Sequence, residues 1–260
     1  PQLVDHEGFK VVREDLMGFG SKCRFGDILV QTCPKDTLVY VQPRYGFAGI
    51  SLAYLAQKYN KKLILFSPSQ KEISDHQAIC VEMGAEMKFK RIAAMPVLNA
   101  HAKKWAEANN AFFIPLGLKH ELVTAAAVKV AHTIAEKHGY PDEVWSAIST
   151  GVLQRSLQIA WPDAKFNGVA VARNIKKGER GIAEVWSHPK AFTQDVDPKY
   201  NPPFPSAMNY DAKAWEFMKK NGSPGAWFWN VGGDPKPKDI NTKSLTKSER
   251  AWGEILETDK

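Results

Sequence analysis

Lys22 is the first residue of the sequence whose surroundings could support covalent chemistry. It lies in GFGSKCR, a glycine-bearing turn that follows the short apolar strand predicted in VVREDL. Because glycine has no side chain, such a turn lets a planar ligand approach the backbone closely. Burial or a neighbouring cation would lower the pKa of a lysine there and supply the neutral amine that forms a Schiff base. Lys22 is therefore a candidate nucleophile, although most isolated lysines are surface charges.

A second candidate is the turn STGVLQR, which follows the strand predicted in EVWSAI, residues 143–148. The strand leads directly into a helix N-terminus that carries Ser149, Thr150 and Gly151. Free backbone N–H groups and hydroxyls at such a turn, together with the helix dipole, form a cradle for a phosphate group. An ordinary N-cap explains Ser149 and Thr150 equally well. This motif alone does not decide between the two interpretations.

Two acid–base candidates are adjacent near the end of the chain. NYDAKAW, residues 209–215, begins a predicted helix with Tyr210 and Asp211. A phenol and a carboxylate at a helix start could both point into a cleft and transfer protons. The structural alternative is a first-turn acid for Asp211 and an amphipathic wall residue for Tyr210.

The segments that connect these candidates alternate between strand and helix patterns. Short apolar runs predict strands, and periodic apolar residues predict helices that stop at Gly84 and Gly139. Such alternation implies an α/β protein with a mainly parallel sheet and helices on both faces. The predicted strands are 37–42, 62–67, 86–89, 111–116, 143–148, 166–172 and 226–231, and the predicted helices are 48–59, 71–84, 95–109, 121–138 and 210–221.

Composition restricts the classes of function. The chain has 260 residues, of which 44% are hydrophobic and 24% charged, as in an ordinary globular protein. It contains no apolar run of the roughly 18 residues that a bilayer-spanning helix needs, and the opening PQLVDHEGFK lacks the apolar core of a signal peptide. We therefore expect a cytoplasmic protein without membrane association. No metal-ligand spacing, serine-hydrolase elbow or dinucleotide-binding glycine motif occurs, and the three cysteines, without a C-x-x-C pair, indicate buried thiols.

The charge balance favours anionic ligands. The formal net charge is +7, which suits phosphates, carboxylates or a nucleic-acid backbone without choosing among them. A local excess of basic residues lies in 173–190. Most such runs are solvated loops, which we expect here, and the alternative is a surface that contacts phosphate.

In their order along the chain, these motifs resemble those of fold-type-II pyridoxal-phosphate enzymes, the tryptophan-synthase-β type. They are most similar to the branch that contains D-cysteine desulfhydrase and aminocyclopropane-carboxylate deaminase. VREDLMGFGSKCR resembles that branch's charged strand end, glycine-rich turn and K-x-R, and NVGG resembles its late H-T-G-G strand end. The resemblance implies two parallel-sheet α/β domains with the cofactor cleft between them. The larger, cofactor-binding domain would comprise 1–35 plus 141–234 and the smaller 36–140, followed by a C-terminal loop and short helix over 235–260.

The resemblance also assigns roles to individual residues. Lys22 would carry pyridoxal 5'-phosphate, and Tyr210 matches the active-site tyrosine. Asp211 falls where the deaminase has a glutamate facing the pyridine nitrogen, and an acid there keeps that nitrogen protonated. The other cofactor-binding residues implied are Ser149, Thr150, Gly151, Val152 and Leu153 of the phosphate loop, with Asn230 and Gly232 at the late strand end.

The substrate turn departs from the family pattern. In PRYGFAG, Gly46 and Phe47 occupy positions where the family has a serine or glycine and then an asparagine. Serine-dependent ring opening is therefore not expected. Phe47 could stack near the cofactor ring, and Arg44 or Tyr45 could contact the substrate. The phosphate loop is also poorer in glycine than in the family, so cofactor binding could be altered or lost.

Three functions follow from these observations. The first is a lyase-, deaminase- or decarboxylase-type enzyme that acts at the α-carbon of a small amino acid through a Lys22 Schiff base. The second keeps the cofactor but acts on an amino acid attached to a nucleotide or DNA base, as in viral DNA hypermodification, with nucleic acid as a partner. The third is a binding protein on the same scaffold without the cofactor. The resemblance implies a homodimer.

Overall fold

The computed structural model describes residues 1–17, 19–70 and 72–234. The strands are β1 (Gln2–His6), β2 (Phe9–Arg13), β3 (Thr37–Val41), β4 (Lys62–Pro68), β5 (Glu86–Lys90), β6 (Phe112–Phe113), β7 (Glu143–Ile148), β8 (Lys165–Ala170), β9 (Glu184–Ser187) and β10 (Trp227–Asn230). The helices are α1 (Ser21–Phe25), α2 (Asp27–Thr32), α3 (Phe47–Lys58), α4 (Asp75–Glu82), α5 (Met95–Ala108), α6 (Glu121–His138), α7 (Val152–Ala160), α8 (Lys177–Arg180) and α9 (Asp211–Asn221).

The chain divides into two compact units. The larger comprises residues 1–25 and 119–234, and the smaller contains residues 26–118. The domain bounds predicted from the sequence differ from these units at two places. Helix α6 belongs to the larger unit because it packs on α7 and α1, whereas α2 belongs to the smaller unit because it packs on α3. The loop and short helix predicted over 235–260 lie outside the described residues.

The larger unit is built on a six-stranded sheet with the order β1-β2-β10-β7-β8-β9. Strands β2, β10, β7, β8 and β9 are parallel, and β1 is an antiparallel edge strand. Strands β7 and β10 are buried along their whole length, as strands covered on both faces of a parallel sheet are. Tryptophan and phenylalanine side chains fill the adjoining core, where Trp215 meets Phe228 and Phe204 edge to face.

The smaller unit has a four-stranded parallel sheet with the order β5-β4-β3-β6. The apolar runs TLVYV and KLILFSP form its two central strands, and most of their residues are buried. Helix α5 packs on this sheet through Leu98, Ala102 and Ala106, which recur at helical spacing and are all buried. Among the described residues of both units, no helix is long and apolar enough to cross a lipid bilayer.

The structure corrects in part the interpretation of residues 173–190 as a solvated loop. Part of this run forms α8, and 184–187 form strand β9, which extends the sheet beside β8. Trp186 of this strand packs against Trp145, with ring centroids 5.8 Å apart. Lys177 and Arg180 therefore lie on a short helix, whereas the other basic residues of the run lie in the loops around it.

Candidate active site

Three of the predicted motifs meet at one edge of the larger sheet. Strands β2, β10, β7 and β8 are parallel, so their carboxyl ends lie at the same edge. The segment after β2 carries Lys22, the segment after β10 carries Gly232, and the segment after β7 carries residues 149–151. Ligands of α/β proteins bind at this edge of the sheet. The topology therefore places the candidate residues where a ligand site is expected.

The backbone of Val231 joins the Lys22 segment to Asp211. The Ser21 N–H donates to the Val231 carbonyl at 2.8 Å, and the Val231 N–H donates to Asp211 Oδ2 at 3.1 Å. The Gly232 N–H also donates to the Asp211 carboxylate. Lys22 follows Ser21 in α1, a short helix where the sequence predicts a turn. The backbone of a single residue, Val231 directly after β10, thus anchors both predicted catalytic segments.

Burial is the largest cause of the pKa shifts of Lys22 and Asp211. Asp211 is fully buried, which raises the pKa of its carboxyl well above the ordinary value, against the opposing effects of the Val231 N–H and the Lys22 charge. Burial likewise lowers the pKa of Lys22, although the Asp211 charge opposes this shift. The Lys22 amine is therefore more easily deprotonated than that of an exposed lysine, as a nucleophilic amine must be.

One oxygen of Asp211 is left without a partner. Oδ1 is buried and accepts no hydrogen bond from the described residues. An unsatisfied buried carboxylate oxygen costs about 1–3 kcal/mol or more, so this atom fits a donor supplied by a ligand. A protonated pyridine nitrogen is such a donor. The observed site therefore fits the ring of pyridoxal phosphate at Asp211.

Tyr210 lies immediately before α9 and is half-buried. Burial and the neighbouring Asp211 charge raise the pKa of its phenol. Its ring meets Phe192 edge to face, with centroids 6.3 Å apart. The hydroxyl is consequently protonated at neutral pH, and its first chemical capacity is to donate a proton.

The predicted phosphate loop is packed tightly against the 173–180 segment. Gly151 has φ +75°, and a Cβ built on it would lie 1.9 Å from the Glu179 carbonyl oxygen. Arg173 Nη2 donates to the Ser149 carbonyl at 3.0 Å and also pairs with Glu179. Val152 and Leu153 form the first turn of α7, where N–H groups have no intrahelical acceptor and can bind an anion. The loop, with half-buried Thr150, therefore keeps a shape compatible with phosphate despite its few glycines.

We expect Gly151→Ala to weaken binding of pyridoxal phosphate at least tenfold. The new Cβ would collide with the Glu179 backbone, and the left-handed conformation adds about 1–2 kcal/mol for any residue with a side chain. The measurement is a spectroscopic titration of the purified protein with the cofactor. Gly178→Ala is the matched control because nothing lies within 4 Å of its added Cβ. Equal affinities of the two variants would contradict the assignment of this loop.

Asn230 holds the strand end through its side chain. Nδ2 donates to Asp15 Oδ1 at 2.7 Å and to the Pro205 carbonyl at 2.9 Å, and Oδ1 accepts a hydrogen bond from Ser206. Asp15 in turn forms an ion pair with Arg13. The structure gives this amide a structural role, and a cofactor contact by Asn230 stays a prediction.

Glu14, directly after β2, is a fully buried acid that none of the sequence motifs indicated. Arg24 Nε donates to its Oε2 at 3.1 Å, and burial raises the pKa of Glu14. The pair ties the end of β2 to the helix of Lys22. The sequence feature that could have indicated this ion pair is the acidic end of VVRED, which is followed by an arginine ten residues after Glu14 and close to the candidate lysine.

The substrate turn predicted at 44–47 lies in the smaller unit. Gly46 has φ +140°, and its carbonyl accepts a hydrogen bond from buried Gln42 at 2.9 Å. Arg44 is exposed and stacks over the Tyr45 ring at 5.6 Å. Phe47 is buried at the start of α3, edge to face with His76 at 5.4 Å. Its ring therefore has a packing role, and the substrate contacts of Arg44 and Tyr45 stay predictions.

We expect the buried His76 to make the smaller unit acid-labile. Burial lowers its pKa to about 4 from 6.5, so between these values the unfolded chain binds more protons than the folded one. The free energy of unfolding should fall by up to roughly 3 kcal/mol as pH decreases from 6.5 towards 4. Urea titrations of the wild type and His76→Phe measure this loss, which the variant should lack. Parallel pH profiles would disprove it.

No protein-family model and no curated protein matches the chain. Solved structures do match it at low identity. An ACC deaminase homologue has a TM-score of 0.73 and 18% identity, covering 87% of this chain and 85% of that chain. A threonine deaminase from T.th. has a TM-score of 0.68 and 15% identity, covering 89% of each chain.

An O-acetylserine dependent cystathionine beta-synthase from Helicobacter pylori matches with a TM-score of 0.62 and 18% identity, covering 86% of each chain. These similarities confirm the fold that the sequence motifs predict. The chain has the fold of the fold-type-II pyridoxal-phosphate enzymes.

Proposed function

We propose that the protein is a pyridoxal-phosphate enzyme that acts at the α-carbon of an amino-acid group. The observation that carries this proposal is the buried Asp211, whose Oδ1 has no partner among the described residues. Its Oδ2 is linked through the Val231 backbone to Ser21, which precedes Lys22, and the Lys22 charge acts on this carboxyl. Lys22 would hold the cofactor covalently, Asp211 would face its ring nitrogen, and residues 149–153 would bind its phosphate. When bound, the cofactor supplies an electron sink for negative charge at the α-carbon.

Each residue then has a distinct task. Asp211 Oδ1 would accept the ring N–H and hold the proton on that nitrogen. Burial raises the pKa of Asp211, and the two backbone N–H donors, the Lys22 charge and a cationic ring would oppose this shift and favour the carboxylate. Lys22 would remove the α-proton or return it. Tyr210, protonated at neutral pH, donates a proton to the developing product.

The similar structures support this class of reaction without choosing within it. They include an ACC deaminase homologue, a threonine deaminase and a pyridoxal 5'-phosphate-dependent aspartate racemase. Since one fold hosts several reactions, the proposal is a lyase-like enzyme for a small free amino acid. Deamination, decarboxylation and racemisation are the variants to distinguish.

Exchange of the α-proton tests the proposal without knowledge of the final product. The protein is loaded with pyridoxal phosphate in deuterated water and incubated with single amino acids, and deuterium at the α-carbon is measured by mass spectrometry. We expect exchange with a small subset of amino acids, and slower but still measurable turnover of those amino acids in Tyr210→Phe. A protein that carries the cofactor on Lys22 but leaves every amino acid unchanged would contradict this substrate class.

A second candidate substrate is an amino acid attached to a nucleotide or DNA base. The observation that favours it is the exposed basic group Lys176, Lys177 and Arg180. These residues lie on the segment that packs against the Gly151 loop, whereas Arg173 is already paired with Glu179. A polyanion bound there would lie beside the proposed phosphate site.

Binding of DNA as a function of salt separates the two substrates. If the second is correct, affinity will fall steeply with salt, and charge reversal of Lys176, Lys177 and Arg180 will flatten the slope. Charge reversal of the exposed Lys103 and Lys104 in the smaller unit is the control. An absence of binding at low salt would leave a free amino acid as the substrate.

The homodimer stays a prediction, which sedimentation analysis of the purified protein would test.

A further inference from the structure

Lys213 is a second buried lysine of the larger unit, two residues after Asp211 in α9. Its side chain is wholly buried, and its Nζ donates a hydrogen bond to the Ala191 carbonyl at 2.7 Å. Burial lowers its pKa to about 8, the Asp195 charge opposes this shift, and the Lys190 charge adds to it. The function proposed above uses Lys22, Tyr210 and Asp211 and leaves this lysine without a role.

The hydrogen bond of Lys213 is one of several contacts between the 188–197 segment and the region around the start of α9. His188 Nε2 lies 3.1 Å from Glu216 Oε2, and the Val196 N–H donates to the Met208 carbonyl at 3.0 Å. Between these two contacts, Phe192 meets the Tyr210 ring edge to face. The residue that Lys213 fixes, Ala191, immediately precedes Phe192.

Burying an ammonium group only to bind a carbonyl oxygen costs desolvation free energy. A buried lysine loses its hydration, and an apolar side chain of similar volume in its place is often neutral or stabilising. Among the described residues Lys213 forms no ion pair, and Asp195 is the acid whose charge raises its pKa. Packing alone therefore does not explain the residue, but the direction of its single hydrogen bond does.

We propose that Lys213 is a positioning residue that fixes Ala191, holds Phe192 against the Tyr210 ring and thereby sets the direction of the Tyr210 hydroxyl. This role rests on the proposed function, in which Tyr210 transfers a proton. Lys213 itself touches neither substrate nor cofactor in this account. It would affect the orientation of Tyr210 only through the position of the 188–197 segment.

Hydrogen exchange of the cofactor-free protein tests the first link independently of the reaction. In Lys213→Met, amides of the 188–197 segment should exchange several-fold faster, whereas other peptides of the larger unit should not change. Lys219→Met is the matched control, because Lys219 lies on the same helix and pairs with Glu7 on the surface. Unchanged exchange in 188–197 would overturn the proposal even if the enzyme is active.

A double-mutant cycle with the loaded protein tests the second link. Lys213→Met should lower the rate of turnover roughly ten- to a hundredfold at unchanged cofactor occupancy, and should have no further effect in a Tyr210→Phe background. Phe192→Leu, which keeps Lys213, should reproduce the rate loss. Effects that multiply between Lys213→Met and Tyr210→Phe would overturn the proposal and leave Lys213 a purely structural role. Failure of cofactor labelling at Lys22 would instead disprove the proposed function.

Discussion

Lys22→Ala is expected to abolish both the visible absorption band of the bound cofactor and the α-proton exchange of amino acids, the latter by more than about a thousandfold. The reason is that Lys22 supplies the covalent attachment and the group that moves the α-proton. The measurements are the absorption spectrum after addition of pyridoxal phosphate and the exchange rate of the responsive amino acid.

The loss should occur without unfolding. Removal of a lysine whose pKa burial lowers also removes a desolvation cost, so the free energy of unfolding should be equal or higher. Lys165→Ala is the control, because Lys165 is exposed at the start of β8 in the same unit. A Lys22→Ala protein that keeps the band would show that another amine holds the cofactor.

Asp211→Asn should retain cofactor binding but lower the reaction rate about a hundred- to ten-thousandfold. The asparagine oxygen can still accept the Val231 and Gly232 N–H groups, so the local structure is kept. What it loses is the negative charge that holds a proton on the ring nitrogen. The measurement compares α-proton exchange and cofactor affinity in the variant and in Asp234→Asn, which alters a nearby acid and should have a much smaller effect.

The same substitution should separate activity from stability. Burial raises the pKa of Asp211 above its unfolded value, so the folded protein binds more protons, and the carboxylate destabilises it increasingly as pH rises above about 4. At neutral pH the cofactor-free Asp211→Asn protein should therefore unfold at the same or higher urea concentration than the wild type. A less stable variant with normal activity would contradict the role of this acid.

Local patterns in the sequence were sufficient to predict much of the fold. Helix α6 begins at Glu121 and ends at His138 as predicted, because its alanine-rich period is terminated by Gly139. Strands β1 and β9 were missed, since both are half-buried edge strands that depend on pairing with β2 and β8. The domain boundary was misplaced for a similar reason, because the packing of α6 on α7 is a tertiary contact that periodicity does not encode.

The candidate site was predictable where a motif marks it and not where tertiary contacts create it. The motifs singled out Lys22, Tyr210 and Asp211, and the structure joins the segments of Lys22 and Asp211 through Val231. The role of Val231 was not predictable, because it comes from backbone atoms at a strand end. The burial of Lys213 was equally hidden, since a lysine in a helix that also contains surface lysines is read as solvent-exposed.

Covalent trapping of the cofactor tests the central claim most directly. The protein is saturated with pyridoxal phosphate, reduced with borohydride, digested and mapped by mass spectrometry. We expect one major modified peptide with the added mass on Lys22 and none of comparable yield on Lys213. If Lys22 stays unmodified at saturating cofactor, the enzyme assignment is wrong, and the chain is a binding protein that uses this scaffold without its cofactor.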